Sequence, residues 1–417
     1  MKFLLRIYSP ILFILSIILL IYLCYKSQIV WDGNRNNFYL PFIIFLLMIN
    51  LFSILIYFSN QKIKEYLIIC SLSIFVSIYL FEGYLSFYKK NDHESKKEIY
   101  KKLIKINKNV SVSVAPLYVF FPKNSFLPLS NVSNSTMIDC NENGYFSMYK
   151  SDRYGFNNPD REWDEKEIEF LLVGDSYTQG ACVNRPDDIG SVLRNLSGKS
   201  VLNLGHNGNG PLVYYAGLRE FLNSNVKNVL WIFNNSNDLE NLNDETNHKI
   251  LSEYLKDLNF TQNLKAKQPE IDNLIKDLIK KHYNNFSNIK EFIFLSNLRR
   301  DTFKLRNQTT KINKNYELKS LSELTKIIQL SNNLVKENNS KLYFIYLPKG
   351  KNDKHFYLIK EVLDNLDISL IDIKKEMIKR KLDINYLNPP NKHFTPLGYY
   401  EITKIIYDFV KKDNSSY

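Results

Sequence analysis

The stretch Ile168-Glu169-Phe170-Leu171-Leu172-Val173-Gly174-Asp175-Ser176-Tyr177-Thr178-Gln179-Gly180 decides how this chain is read. Its first six residues are a largely apolar run that ends at Gly174. Ser200–Leu204, Asn228–Phe233, Lys341–Leu347 and Ile368–Ile373 are similar runs. Such runs read as strands buried on both faces, hence a parallel sheet. Helical patterns separate them at Asp187–Leu196, Leu212–Leu222, Leu318–Lys336, His355–Leu366 and Pro396–Val410. The alternation predicts a doubly wound α/β fold, three α/β/α layers around a sheet of about five strands. Between the third and fourth of these strands, Asp238 to Lys341 holds only helical or loop patterns, which predicts a helical insertion.

Upstream the composition changes. Ile7 to Tyr25 has no charged residue over 19 positions, and Phe38 to Phe58 has none over 21. Tyr66 to Tyr88 has one, Glu82. About 20 apolar residues span a bilayer core, so residues 1–90 are expected to form three transmembrane helices. The first run lacks a small-residue cleavage site before Lys26, and two more runs follow, which fits an uncleaved anchor. Lys2, Arg6, Lys62 and Lys64 favour a cytoplasmic N-terminus, so three spans would deliver the remainder outside. The eight Lys and three acids of Lys89–Lys108 pull the other way, although long domains can cross despite such charge. Glu94–Ile106 reads as an amphipathic helix suited to a headgroup layer.

Residues 91–165 are therefore an amphipathic linker and lead-in, with a β-like run at Leu117–Phe121, and residues 166–417 the α/β domain. In the whole chain of 417 residues, Lys+Arg 55 against Asp+Glu 43 leaves a net charge of +12. The basic residues lie among many acids, and no nucleic-acid-binding signature occurs, so no nucleic-acid partner is expected. Four cysteines exclude a disulfide scaffold, and no Cys/His spacing suggests a metal; neither metal nor cofactor is expected.

In sheets of this kind sites form outside the carboxyl ends of the strands. Gly174 to Gly180 follows the first strand. Asn203-Leu204-Gly205-His206-Asn207-Gly208-Asn209-Gly210 follows the second, Asn234-Asn235-Ser236-Asn237-Asp238 the third, and His393 precedes the last helix. These residues suit acyl transfer. Ser176 can offer its hydroxyl and backbone N–H to a carbonyl; Gly208 and Asn237 can add N–H donors for the oxyanion. His393 can take the serine proton. Asp175, His206 and Asn391 are substrate-pocket candidates, although Asp175 also suits fixing the turn and Asp238 suits capping the next segment. His93, His248, His282 and His355 read as surface residues, and Cys24 and Cys70 as apolar filler in the spans.

On these blocks the sequence resembles the SGNH (GDSL-type) hydrolase family over about Glu167–Val410. The Gly-Asp-Ser block, the Asn-x-Gly-x-x-Gly loop, the Asn-Asp pair and His393-x-x-x-x-Gly398-Tyr399 stand in the family's order. The resemblance implies Ser176 as nucleophile, Ser176 N–H, Gly208 and Asn237 as oxyanion hole, and His393 as base. Asp152-Arg153-Tyr154-Gly155-Phe156-Asn157-Asn158 also looks like the segment before this domain in membrane-anchored bacterial members. The family usually has Asp two or three residues before the histidine; here Asn391 and Pro390 stand there. The orienting group must be a backbone carbonyl, Asn391, or an acid such as Asp372 or Asp383, unless a Ser–His dyad acts alone.

The resulting expectation is a membrane-anchored serine esterase or deacylase acting on ester-linked acyl groups of envelope glycans or lipids. It would sit multi-pass in a bacterial inner membrane, with the catalytic domain extracytoplasmic. The alternatives are an O-acyltransferase working with a partner membrane acyltransferase or glycan-assembly protein, and an inactive carbohydrate-binding domain. Cys140 and Cys182 are candidates for a disulfide that would pin the lead-in beside the active-site mouth, a bond suited to an oxidising compartment; the alternative is two unrelated buried thiols.

Overall fold

The computed structural model describes residues 2–31, 33, 36–92, 96–119, 126–283, 289, 292–299, 314–347, 355–389 and 392–415. The chain divides into two compact units. One comprises Met1–Glu94, Phe121–Lys123 and Asn284–Lys311; the other comprises Ser95–Phe120, Asn124–Tyr283 and Ile312–Tyr417.

The first unit contains helices Lys2–Tyr25, Asn36–Phe58 and Gln61–Asp92. Each holds a stretch long and apolar enough to cross a membrane: Arg6–Val30, Phe38–Phe58 and Gln61–Phe87. Most of their large apolar side chains face outward, as do Cys24 and Cys70. Water-soluble helices bury such a face; helices that meet lipid need not. Polar side chains tie the helices laterally. Ser16 Oγ donates to Asn50 Oδ1 at 2.8 Å, and the hydroxyls of Tyr8 and Ser71 meet at 2.7 Å.

The second unit carries two sheets. The lead-in forms a small one from strands β1 (Val110–Val112), β2 (Thr136–Ile138) and β3 (Met148–Lys150), with β1 parallel and β3 antiparallel to β2. The run Leu117–Phe121 is not a strand: Pro116–Val119 is a helical turn, opened by a proline whose fixed φ suits a first helical position, and 120–121 lie outside the described residues. The main sheet contains β4 (Ile168–Val173), β5 (Val201–Asn203), β6 (Val226–Asn234), β7 (Lys341–Leu347) and β8 (Ser369–Asp372). All pair in parallel, in the order β5-β4-β6-β7-β8.

Alternate side chains of each strand enter opposite cores. Phe170 and Leu172 pack with Ile189 and Leu193 of helix Ile189–Ser197 and with Ile402 and Ile406 of helix Pro396–Asn414. Leu171 and Val173 pack with Leu212 and Leu218 of helix Pro211–Phe221 and with Ile327 of helix Lys314–Glu337. This is the expected three-layer arrangement. Truncating a fully buried aromatic such as Trp231 to Ala would cost about 3–5 kcal/mol. The second core also takes in Val112, Leu127, Met137, Tyr149 and Phe156, so the lead-in shares the hydrophobic core of the α/β domain. Within the insertion, the described elements are helical: Asp238–Thr246, Lys249–Lys256, Gln268–His282 and the start of Lys314–Glu337.

The strand order places β4 between its sequence neighbours β5 and β6. The connections after β4 and β5 therefore leave toward opposite faces, which opens a crevice at the carboxyl ends. Ser176 and Asn237 lie just past β4 and β6.

Candidate active site

Gly174 closes β4 so tightly that a Cβ there would lie 1.9 Å from Thr178 Oγ1; only glycine permits this strand-to-helix turn. Asp175 then caps the helical turn Ser176–Gln179, its Oδ1 accepting from Tyr177 N at 2.9 Å. Ser176 thus opens a helical turn in the carboxyl-end crevice and is largely buried.

His393 reaches it from the segment before the C-terminal helix. Its Nε2 lies 2.9 Å from Ser176 Oγ. Its Nδ1 lies 3.0 Å from Oε1 of Glu142, and its backbone N–H donates to Oε2 of the same carboxylate at 2.6 Å. Glu142 therefore accepts two hydrogen bonds from one residue. A carboxylate cannot donate, so Nδ1 carries the proton and the Nε2 lone pair faces the serine. Lys392 Nζ donates to the Glu142 carbonyl at 2.7 Å, and Tyr177 OH donates to the Lys392 carbonyl at 3.1 Å.

The electrostatics agree with this pairing. Burial pushes the His393 imidazole down, but the hydrogen bond and negative charge of Glu142, aided by Asp175 and Asp139, outweigh it and raise the imidazole above its ordinary value. Burial likewise pushes the Glu142 carboxyl up, but its bonds to His393 and the charges of His393 and Lys392 hold it below the usual carboxylate range.

The acid comes from the lead-in, not from the positions considered in the sequence. Asp372 caps the helix Ile373–Lys379, accepting from Lys375 N at 3.0 Å. Neither Asp383 nor a backbone carbonyl is needed at Nδ1, where Glu142 already sits. Asn391 lies outside the described residues. One signal in the sequence points to Glu142: it lies two residues after Cys140. Cys140 and Cys182 are joined, with 2.06 Å between their sulfurs, and Cys182 Sγ lies 3.5 Å from His393 Nδ1. Asn143 Nδ2 also donates to the Cys182 carbonyl at 3.0 Å, which seats the loop around Glu142. Cys140, Cys182 and His393 offer three possible metal-ligand atoms within 4.8 Å, but the two sulfurs are bonded to each other rather than present as thiolates.

The residues expected as oxyanion donors lie on neighbouring loops. Gly208 has φ +80°, a conformation that glycine adopts without strain. Its loop rests on the Ser176 turn: His206 N donates to the Gly174 carbonyl at 3.2 Å, and Asn207 N donates to Gln179 Oε1 at 2.7 Å. Asn237 is half-buried, and its Nδ2 donates to Asp175 Oδ2 at 3.3 Å. An amide has two N–H groups, so one remains to serve an oxyanion. Asn234 Nδ2 donates to the same Asp175 oxygen at 2.9 Å.

Asp175 and His206 are enclosed and do not line an open pocket. Burial raises the Asp175 carboxyl, against the bonds it accepts from Asn234, Tyr177 and Asn237. His206 pairs with Asn131 Nδ2 through Nε2 and with the Asn207 carbonyl through Nδ1, and burial lowers it to about 4. It is a neutral brace between the lead-in and the Gly208 loop. Asp238 does not act as a cap: Asn237 holds that position, while Asp238 accepts from Asn234 N and from Tyr214 OH, both at 2.9 Å. His248 is buried, not on the surface, and burial lowers it to about 4. His355 is half-buried against Asn235 Oδ1 at 3.2 Å, and His93 lies outside the described residues.

No protein-family model matches the chain. No curated protein matches it either. Among solved structures it is similar to a lipolytic protein of the G-D-S-L family from Desulfitobacterium hafniense DCB-2, at 13% identity and a TM-score of 0.33, over 58% of this chain and 98% of that one. It is also similar to protein YXIM from Bacillus subtilis, at 11% identity and a TM-score of 0.33, over 60% of this chain and 57% of that one.

Proposed function

We propose that this chain is a membrane-anchored serine esterase or deacylase of the SGNH type, with Ser176, His393 and Glu142 as its catalytic triad. The continuous path Ser176 Oγ–His393 Nε2 and His393 Nδ1–Glu142 carries the reading, at 2.9 Å and 3.0 Å. A binding domain that had lost catalysis would need neither contact. Ser176 Oγ attacks the ester carbonyl while His393 Nε2 takes its proton. Glu142 stabilises the imidazolium so formed. The oxyanion accepts from Ser176 N–H, Gly208 N–H and Asn237 Nδ2. His393 returns the proton to the leaving alcohol, and water then repeats the sequence on the acyl-enzyme.

The substrates would be ester-linked acyl groups of envelope glycans or lipids, reached by a domain held outside the membrane by three spans. The Cys140–Cys182 bond supports an extracytoplasmic location, since such bonds are rare where thiols are kept reduced. The test is a fluorophosphonate probe with a simple acyl ester as substrate. Ser176→Ala should lose probe labelling and ester turnover while keeping the fold. Loss of a serine nucleophile typically removes of order 10⁶ of the rate enhancement. Unchanged turnover by the Ala variant would remove Ser176 from the mechanism.

A further inference from the structure

The insertion does not stay wholly with the α/β domain, because Asn284–Lys311 belongs to the compact unit of the apolar helices. Within it, Phe292 to Leu298 is seven residues without a charge, flanked by Lys290-Glu291 and Arg299-Arg300. That is far too short to cross a bilayer, which takes about 20 residues. The described part makes two helical turns joined at Leu295, whose φ is +50°. It packs on the ends of two spans. The Phe292 ring lies 5.6 Å from that of Tyr79, and the Phe294 ring stacks 6.4 Å from that of Tyr22. Tyr79 is eight residues before Phe87, and Tyr22 eight before Val30, the last residues of their apolar stretches. At 1.5 Å per residue both rulers put the contacts roughly 12 Å inside the same membrane face.

Irregular backbone at that depth must find its hydrogen bonds in protein. It does so here. Tyr79 OH donates to the Ile293 carbonyl at 2.8 Å. Glu82 is fully buried, and its Oε1 accepts from Asn297 N at 3.0 Å while Oε2 accepts from Leu298 N at 2.9 Å. Asn297 Nδ2 adds bonds to Glu82 Oε1 and Ser86 Oγ. An acid within a span is costly unless paired, and the opening amides of a helical turn are the orphan donors that suit it. Ile289 and Ile293 stay exposed, Ile293 at 53%, and Phe292 and Phe294 keep part of their rings exposed beside their contacts with the spans.

From this geometry we infer that residues 289 and 292–299 form a wedge set into one leaflet of the bilayer, clamped to the third span by Glu82, with lipid against Ile289, Phe292, Ile293 and Phe294. The chain is then tied to the membrane a second time, some 200 residues after its last span. The inference rests on reading the three helices as membrane spans and is independent of the triad.

The test places one nitroxide label on the full chain in phosphatidylcholine–phosphatidylglycerol vesicles. Cys24→Ser and Cys70→Ser remove the reactive thiols, while Cys140–Cys182 stays bonded. Labels go at Ile293→Cys, at Phe45→Cys within the second span, and at Asn259→Cys as an exposed site of the α/β unit. The label at 293 should collide with dissolved oxygen and lose collision with a water-soluble nickel complex, like the label at 45 and unlike that at 259. Glu82→Gln, with a single acceptor oxygen, should restore nickel collision at 293 and leave position 45 unchanged. A lipid-like 45 with a water-like 293 overturns the wedge. A 293 label shielded from both reagents means that protein covers this face, which overturns lipid as the occupant. An unchanged 293 in Glu82→Gln overturns the clamp. A water-like 45 defeats the span reading, and the wedge with it.

Discussion

Glu142→Gln keeps the shape of the side chain and removes its charge and one acceptor, so His393 Nδ1–H and the His393 backbone N–H compete for a single oxygen. The tautomer is no longer imposed, and kcat should fall, by as much as about 10⁴ if the acid matters as in other serine triads. The pH profile distinguishes this role from a structural one. His393 must be neutral to act as base, and Glu142 raises it above its ordinary value. Activity should therefore rise with pH through that raised titration, and in Glu142→Gln the acid limb of kcat/KM should move to lower pH. A smaller rate with an unmoved limb would make Glu142 a scaffold residue only. Asn237→Ala should lower kcat by about 10²–10³ with little change in KM, since the oxyanion exists only along the reaction path. A change confined to KM would reassign Asn237 to substrate binding. The sequence marked Ser176 and Asn237 because each follows a recognisable strand, and His393 because it stands just before the last helix. Glu142 follows none, and 251 residues separate it from the histidine it holds.

At the scale of elements, the lead-in completes the site from outside the α/β core. Asn157 Nδ2 donates to the Gln179 carbonyl at 2.9 Å, and Asn158 exchanges bonds with the Asn203 backbone at 2.8 and 3.0 Å. These bonds brace the Ser176 turn and the end of β5. Asp152 organises the motif by accepting from Tyr154 N, Phe156 N, Asn158 Nδ2 and Trp163 Nε1, and its burial raises it to about 6. The disulfide carries Glu142 to His393. Closing a loop with a sequence separation of 42 lowers the entropy of the unfolded chain, worth about 4 kcal/mol in that model. Reduction, or Cys140→Ser with Cys182→Ser, should lower both thermal stability and the rate of fluorophosphonate labelling. The α/β domain should keep its circular dichroism, because its two cores contain the sheet. Full labelling after verified reduction would show that packing alone holds Glu142.

For the molecule as a whole, the proposed topology puts the α/β domain outside the cytoplasm. Phosphatase reporters that work only outside the cytoplasm should be active when fused within the first loop, near Gly33, and after Ser95, and inactive near Asn60. The reverse pattern would place the α/β domain inside, where the disulfide would not be expected to persist. Chain order and hydrophobic pattern alone determined the three apolar helices, the parallel α/β layers and the strand ends at which to look for a site. Each is encoded locally: run length fixes a span, apolar runs between helical patterns fix a buried sheet, and sites follow strand ends. What only the tertiary structure decided are contacts between residues far apart in sequence. Ser176 and Glu142 meet His393 from 217 and 251 residues away, and Glu82 finds the amides of Asn297 and Leu298 some 215 residues away. A hydrogen bond is sensitive to tenths of an ångström in space and indifferent to separation along the chain, so no periodicity or spacing records it.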